Sequence, residues 1–200
     1  PPRSSAVITR HRPHPLVPAL IGLAILVAGC ATTRAPLAPD ARAPARDRIK
    51  AEELCDRADP LLATDPDAAE ALLREAIAAD PFCARARNNL GTILLARGDL
   101  FEAATEFDLA RRLMPENPDP RINLGLTLEH AGRIDEALDA YAAALELSPT
   151  SLAAAQALAR AQLRHARTDD RTDRLLADIA LRASPPWRDW AIRQQQREVP

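Results

Sequence analysis

The chain has 200 residues, with 26 lysines and arginines against 28 aspartates and glutamates for a formal charge of -2. That length allows one main domain, and 3% aromatics in an alanine- and leucine-rich chain point to helices rather than strands. Three of the arginines and none of the acids precede Cys30, which leaves 23 basic and 28 acidic side chains after it and excludes the basic stripe of a nucleic-acid binder.

The chain opens at Pro1 rather than at a methionine, as expected of a segment that starts inside its gene product. Arg3, Arg10 and Arg12 precede an apolar run over residues 16–29 that contains Pro18 and Gly22. Fourteen residues fall short of the roughly 20 that span a bilayer, and the run lacks the alternating polar face of a core helix. A basic start, a short apolar run and small residues before a cut read as a secretory signal over residues 1–29.

Val27-Ala28-Gly29-Cys30 closes that run and resembles the lipobox of bacterial lipoproteins. The resemblance implies a diacylglyceryl group on the Cys30 thiol, cleavage before it and acylation of the new amine; an uncleaved anchor is the alternative. Several acyl chains on one residue hold a protein stably where one would be marginal. Ala31 and Thr32 follow the cysteine, without the aspartate that retains Gram-negative lipoproteins at the inner membrane. The expectation is an exported chain anchored in the outer membrane, facing the periplasm, if the source has one.

Residues 30–46 carry Pro36, Pro39 and Pro44 and little that is large and apolar, the composition of an extended tether. At ~3.3 Å per residue it reaches on the order of 50 Å. Beyond it, Cys55 and Cys83 are read as two buried apolar thiols. A disulfide is the alternative that an oxidising compartment allows.

Residues 47–149 repeat. Asn89-Leu90-Gly91 recurs as Asn123-Leu124-Gly125, and Gly98, Ala103, Phe107, Ala110 and Pro115 recur as Gly132, Ala137, Tyr141, Ala144 and Pro149, always 34 residues on. One further step back meets Ala69, Ala76 and Pro81. This spacing and these residue types resemble the tetratricopeptide repeat, a helix-turn-helix unit. The expected fold is an all-α solenoid of about three such units, a degenerate fourth over residues 150–183 and a capping helix over residues 184–200.

Each recurring residue has a physical reason. Leu90 and Leu124 face the partner helix, and Gly91, Gly125, Ala103 and Ala137 mark close helix approaches. Gly98 and Gly132 supply a left-handed residue, and Asp99 with Glu102 reads as a capping box. In the degraded first unit Pro60 ends the first helix, and Asp65-Pro66 starts the second. Thr150 is expected to cap a helix running to about Arg167, with a second from about Asp170 to Ala183. Trp187 and Trp190 are read as a lid over the apolar end of the stack, with membrane-interface contact and partner binding as alternatives.

No catalytic or metal motif is present: no GxSxG elbow, no HExxH, no P-loop, and no metal-ligand spacing between His130, His165 and the cysteines. The chain is therefore read as a non-enzyme without a cofactor. The resemblance instead implies a concave groove lined by the first helix of each unit. By register the groove takes Arg85, Asn88, Asn89, Thr92 and Leu95 from the second unit. The third gives Asp119, Ile122, Asn123, Leu126, Glu129 and His130, and the fourth Gln156, Arg160 and Arg164. The recurring amides Asn89 and Asn123 are suited to a peptide backbone.

A groove type that captures a C-terminal carboxylate is disfavoured, because its basic and amide positions hold Leu54, Ala58, Asp119 and Asn123 and only Asn89 matches. The expected function is a membrane-anchored interaction scaffold that binds a protein or peptide in the groove. Alternatives are a pilotin-like or secretion-system assembly factor, and a receptor for a small cell-wall peptide.

Overall fold

The computed structural model describes residues 46–197, so the expected signal, Cys30 and the expected tether up to residue 45 lie outside it. The described residues form nine α-helices and no strand: α1 (Arg48–Ala58), α2 (Pro66–Ala79), α3 (Ala84–Arg97), α4 (Leu100–Leu113), α5 (Asp119–His130), α6 (Ile134–Leu147), α7 (Leu152–Arg164), α8 (Asp170–Arg182) and α9 (Pro185–Arg197). Successive helices pair, and the first helices of neighbouring units also touch: α1 with α3, α3 with α5, and α5 with α7. That second set of contacts builds a continuous inner row.

The boundaries follow local chemistry. The Asp47 carboxylate accepts from the Lys50 amide and starts α1, and Pro60 ends it by turning residues Asp59–Leu61 into one 3-10 turn. Asp65 accepts from the Ala68 amide, with Pro66 at the first position of α2. Gly98 and Gly132 adopt φ of 88° and 75°, the left-handed turn required after α3 and α5.

The expected capping box at the start of α4 is absent. Asp99 makes no side-chain cap bond; Gly98 and Asp99 donate their amides back to the carbonyls of Leu95 and Leu94 at 3.0 Å, which holds the turn. Nor does Thr150 cap α7, because Ser151 accepts from the Ala154 amide.

The fourth unit departs from the expectation in an informative way. α7 ends at Arg164, and Ala166, 34 residues after Gly132, takes the same left-handed turn at φ 52° without being a glycine. α8 then starts 36 residues after α6. The two extra residues of this unit therefore lie between Ala166 and Asp170, where Asp169 and Thr172 form a true capping box.

Gly91 and Gly125 make room for rings rather than for backbone. A Cβ on either would stand 2.7 Å from the ring of Phe107 or Tyr141, and both rings are fully buried. Leu90 is buried as expected, but Leu124 is only half-buried and packs against two core clusters, one around Phe107 and one around Tyr141. Trp187 and Trp190 on α9 meet edge to face, 5.3 Å between centroids, and pack on the second cluster, as a lid should.

At the other end Arg46 packs on the turn after α2. The Arg46 guanidinium donates to Asp80 at 2.8 Å and stacks 4.4 Å over Phe82. Cys55 and Cys83 are free and buried, with their sulfurs 3.7 Å apart. No helix among the described residues is long and apolar enough to cross a membrane.

Candidate interaction surface

The inner row is built from α1, α3, α5 and α7, and side chains along it are already bonded from unit to unit. At its first end, Arg85 of α3 reaches three carboxylates: Asp56 at 2.8 Å, Glu52 at 3.3 Å and Asp59. Hydrogen bonds to Asp59 and then to Asp56 hold the Arg85 guanidinium above its usual pKa. The Asn89 amide donates to Asp59 at 2.9 Å.

In the middle, Asn123 of α5 donates to the side-chain oxygen of Asn88 on α3 at 3.1 Å. An amide carries two N–H donors and an oxygen with two lone pairs, so each of these groups keeps unused capacity.

The last end is organised around Glu129. Its carboxylate accepts from Arg164 at 3.0 Å, from His165 at 3.1 Å and from the Tyr141 phenol at 3.1 Å, with Arg160 at 3.7 Å. Its side chain is 3% exposed, whereas that of Arg164 is 55% exposed. Glu129 is thus not the open groove charge expected from its register. The one-unit step from α5 to α7 lays arginines over it, and the buried Tyr141 phenol needs its oxygen.

Other expected residues divide. Arg85, Asn88 and Asn89 are half-buried on α3, and Asp119 and His130 are exposed at opposite ends of α5. Ile122 and Leu126 give part of their surface to the core around Tyr141, and Leu95 does the same against the cluster around Phe107. Gln156 is half-buried on α7. Thr92 bonds the Asn88 carbonyl at 3.1 Å and lines a cavity of about 400 Å³ with Leu62, Pro66 and Arg97, at the border with α2.

His165 was not legible as a member of this cluster. It follows the last residue of α7 in a unit whose helix was expected to run on to Arg167. Glu106, which by register belongs to the outer back, is tied to Arg87 at 2.8 Å with both side chains largely covered. Among the described residues no group of three or more metal-ligating side chains comes together.

Residues 63–118 and residues 118–151 each match a family model described as the tetratricopeptide repeat. No curated protein matches the chain in sequence. Similar solved structures include the first TPR of Spaghetti (RPAP3) bound to an HSP90 peptide, SRMEEVD, at 20% identity and a TM-score of 0.57, covering 60% of this chain and 97% of that one. The second TPR domain of human RPAP3 with an HSP70 peptide matches at 21% identity and a TM-score of 0.53, over 57% of this chain and 96% of that one. An O-GlcNAc transferase of Thermobaculum terrenum matches at 27% identity and a TM-score of 0.64, over 70% of this chain but only 28% of that protein. Residues 63–151 match the tetratricopeptide repeat, and the described residues fold as an all-α solenoid of that repeat type.

Proposed function

We propose that this chain is a non-catalytic scaffold, held to a bacterial envelope membrane through acylated Cys30, that captures a partner peptide along the inner row. The observation that carries this reading is the row itself. Arg85, Asn88, Asn89, Asn123 and Arg164 form one polar line across three units, with donors and acceptors left over. Peptide-bound neighbours of the same fold support the use of such a surface for a peptide.

The carboxylate-capturing mode is not the one proposed. Leu54 and Ala58, which stand where that mode needs polar donors, are buried in the core around Phe107. The mature chain instead offers amides for backbone recognition and charged ends for selection.

The test is a crosslinking pulldown from membranes of cells expressing the full chain. Asn89→Ala with Asn123→Ala is expected to weaken capture roughly tenfold, about 1.4 kcal/mol. Outer-face swaps Asp139→Arg and Glu146→Arg, both at exposed positions, are expected to leave it unchanged. Loss of partners in the outer swaps with retention in the amide mutant would sink the inner-row reading. For the anchor, Cys30→Ala is expected to abolish palmitate labelling and release the mature chain; an unchanged membrane fraction with uncut mass would mean a spanning segment instead.

A further inference from the structure

We infer that the inner row is electrically polarised and seats an extended peptide in one direction, its basic segment against α1 and its acidic end against α7. This deepens the peptide-binding reading and rests on it.

Three features set the polarity. At α1, one guanidinium, Arg85, is surrounded by three carboxylates, of which Asp56 is 69% exposed and Glu52 is 60% exposed, so negative charge is in excess and open to solvent. Across α3 and α5 the row carries the neutral amides Asn88, Asn89 and Asn123. At α7 the balance inverts: one carboxylate, Glu129, meets Arg160, Arg164 and His165. The negative charge lies underneath and the two arginines lie above it, and the Arg160 Nε is buried without a partner. His130 stands exposed 34 residues before Arg164, at the same repeat position.

The length of the track fits such a ligand. From α1 to α7 there are three helix-to-helix steps of roughly 8–10 Å, or about 30 Å, which about nine extended residues cover at ~3.3 Å each. Over that distance, beyond the ~8–10 Å Debye length of physiological salt, the two ends act on separate parts of the peptide. The occupant is therefore a peptide with a basic block at one end and an acidic block at the other, joined by a neutral stretch whose backbone meets the amides.

The experiment uses the full chain in detergent and two synthetic peptides of about ten residues. One has a Lys-Lys-Lys block, a Gly-Ser linker and a Glu-Glu-Glu block; the other has the same composition scrambled. A photocrosslinker is placed at either end of the blocked peptide, and crosslinked sites are read by mass spectrometry. The acidic end is expected to crosslink to α7 and the basic end to α1, with the blocked peptide bound at least about fivefold more tightly than the scrambled one. Asp56→Lys, at an exposed position that leaves Glu129 untouched, is expected to weaken the blocked peptide severalfold and remove crosslinking of the basic end to α1. Arg164→Gln is expected to do the same at α7, with a thermal melt checking that the variant folds.

Equal binding of both peptides, or crosslinks without an end preference, overturns the polarity and leaves inner-row binding standing. Binding of neither peptide overturns the inner-row reading along with it.

Discussion

The phenol of Tyr141 donates to the Glu129 carboxylate across 3.1 Å, and the two side chains join the core of the third unit to the inner row of the fourth. Burial pushes the Glu129 carboxyl up. The hydrogen bonds from His165 and Tyr141 and the charges of Arg160 and Arg164 outweigh that and hold it below the usual carboxylate value.

A carboxyl depressed in the folded state stabilises the fold fully above its unfolded pKa of about 4.3, and the stabilisation is lost as pH falls through the lower native value. Urea titrations from pH 7 down to pH 3 are expected to show stability falling once pH drops below about 4.5. Glu129→Gln is expected to shallow that fall without abolishing it, because Glu70, Glu75 and Asp80 are depressed as well. Tyr141→Phe keeps the ring and removes one bond to a charged acceptor, at a cost of ~1–3 kcal/mol. An unchanged pH profile in Glu129→Gln would remove this carboxylate from the acid response.

The seat between Gly125 and Tyr141 makes a second prediction. Gly125→Ala places a methyl 2.7 Å from the ring, and overpacking of that kind costs ~1–3 kcal/mol. In a Tyr141→Ala background the same substitution is expected to cost little, so a double-mutant cycle should return a coupling energy above about 1 kcal/mol. Additive effects would mean that the glycine serves something other than the ring.

Ala166 holds a left-handed turn that the two preceding units give to glycine. A non-glycine residue there is strained by about 1–2 kcal/mol. Ala166→Gly is expected to stabilise the chain by about 1 kcal/mol, a rise in Tm of roughly 2–4 °C for a domain of this size. The reciprocal change, Gly98→Ala, is expected to cost about the same. A lower Tm for Ala166→Gly would mean that the turn carries no strain.

Leu90 and Leu124 share one repeat position and differ in cover. Leu90→Ala, in the core around Phe107, is expected to cost ~2–5 kcal/mol. Leu124→Ala is expected to cost about half as much, because part of its side chain faces the furrow that it lines with Phe101, Leu109 and Leu128. Equal melts for the two variants would contradict the difference in burial.

Much of the fold was legible because repeat chemistry is local. Gly98, Gly132, Pro60, Asp65 and Pro66 act on backbone angles and donors within a few residues, and all five do what their types dictate. Asp99 and Thr150 depart from expectation for the converse reason: side-chain capping competes with bonds that the backbone makes for itself, and a sequence pattern does not say which wins. The inner row was placed by register, but its internal pairing was not. Arg85 with Asp59, Asn123 with Asn88, and Glu129 with His165 join residues 26 to 36 apart, and their partners depend on how units step past each other in space.

The two ends of the stack meet water in unlike ways. Trp187 and Trp190 seal one end with hydrocarbon, while α1 leaves Ile49 bare among Arg48, Glu52 and Glu53. An open-ended solenoid with matching apolar ends would be a monomer for polymerisation, each copy extending the last. Here a plugged end stands opposite a hydrated, charged one, so among the described residues the two ends are not matching apolar surfaces.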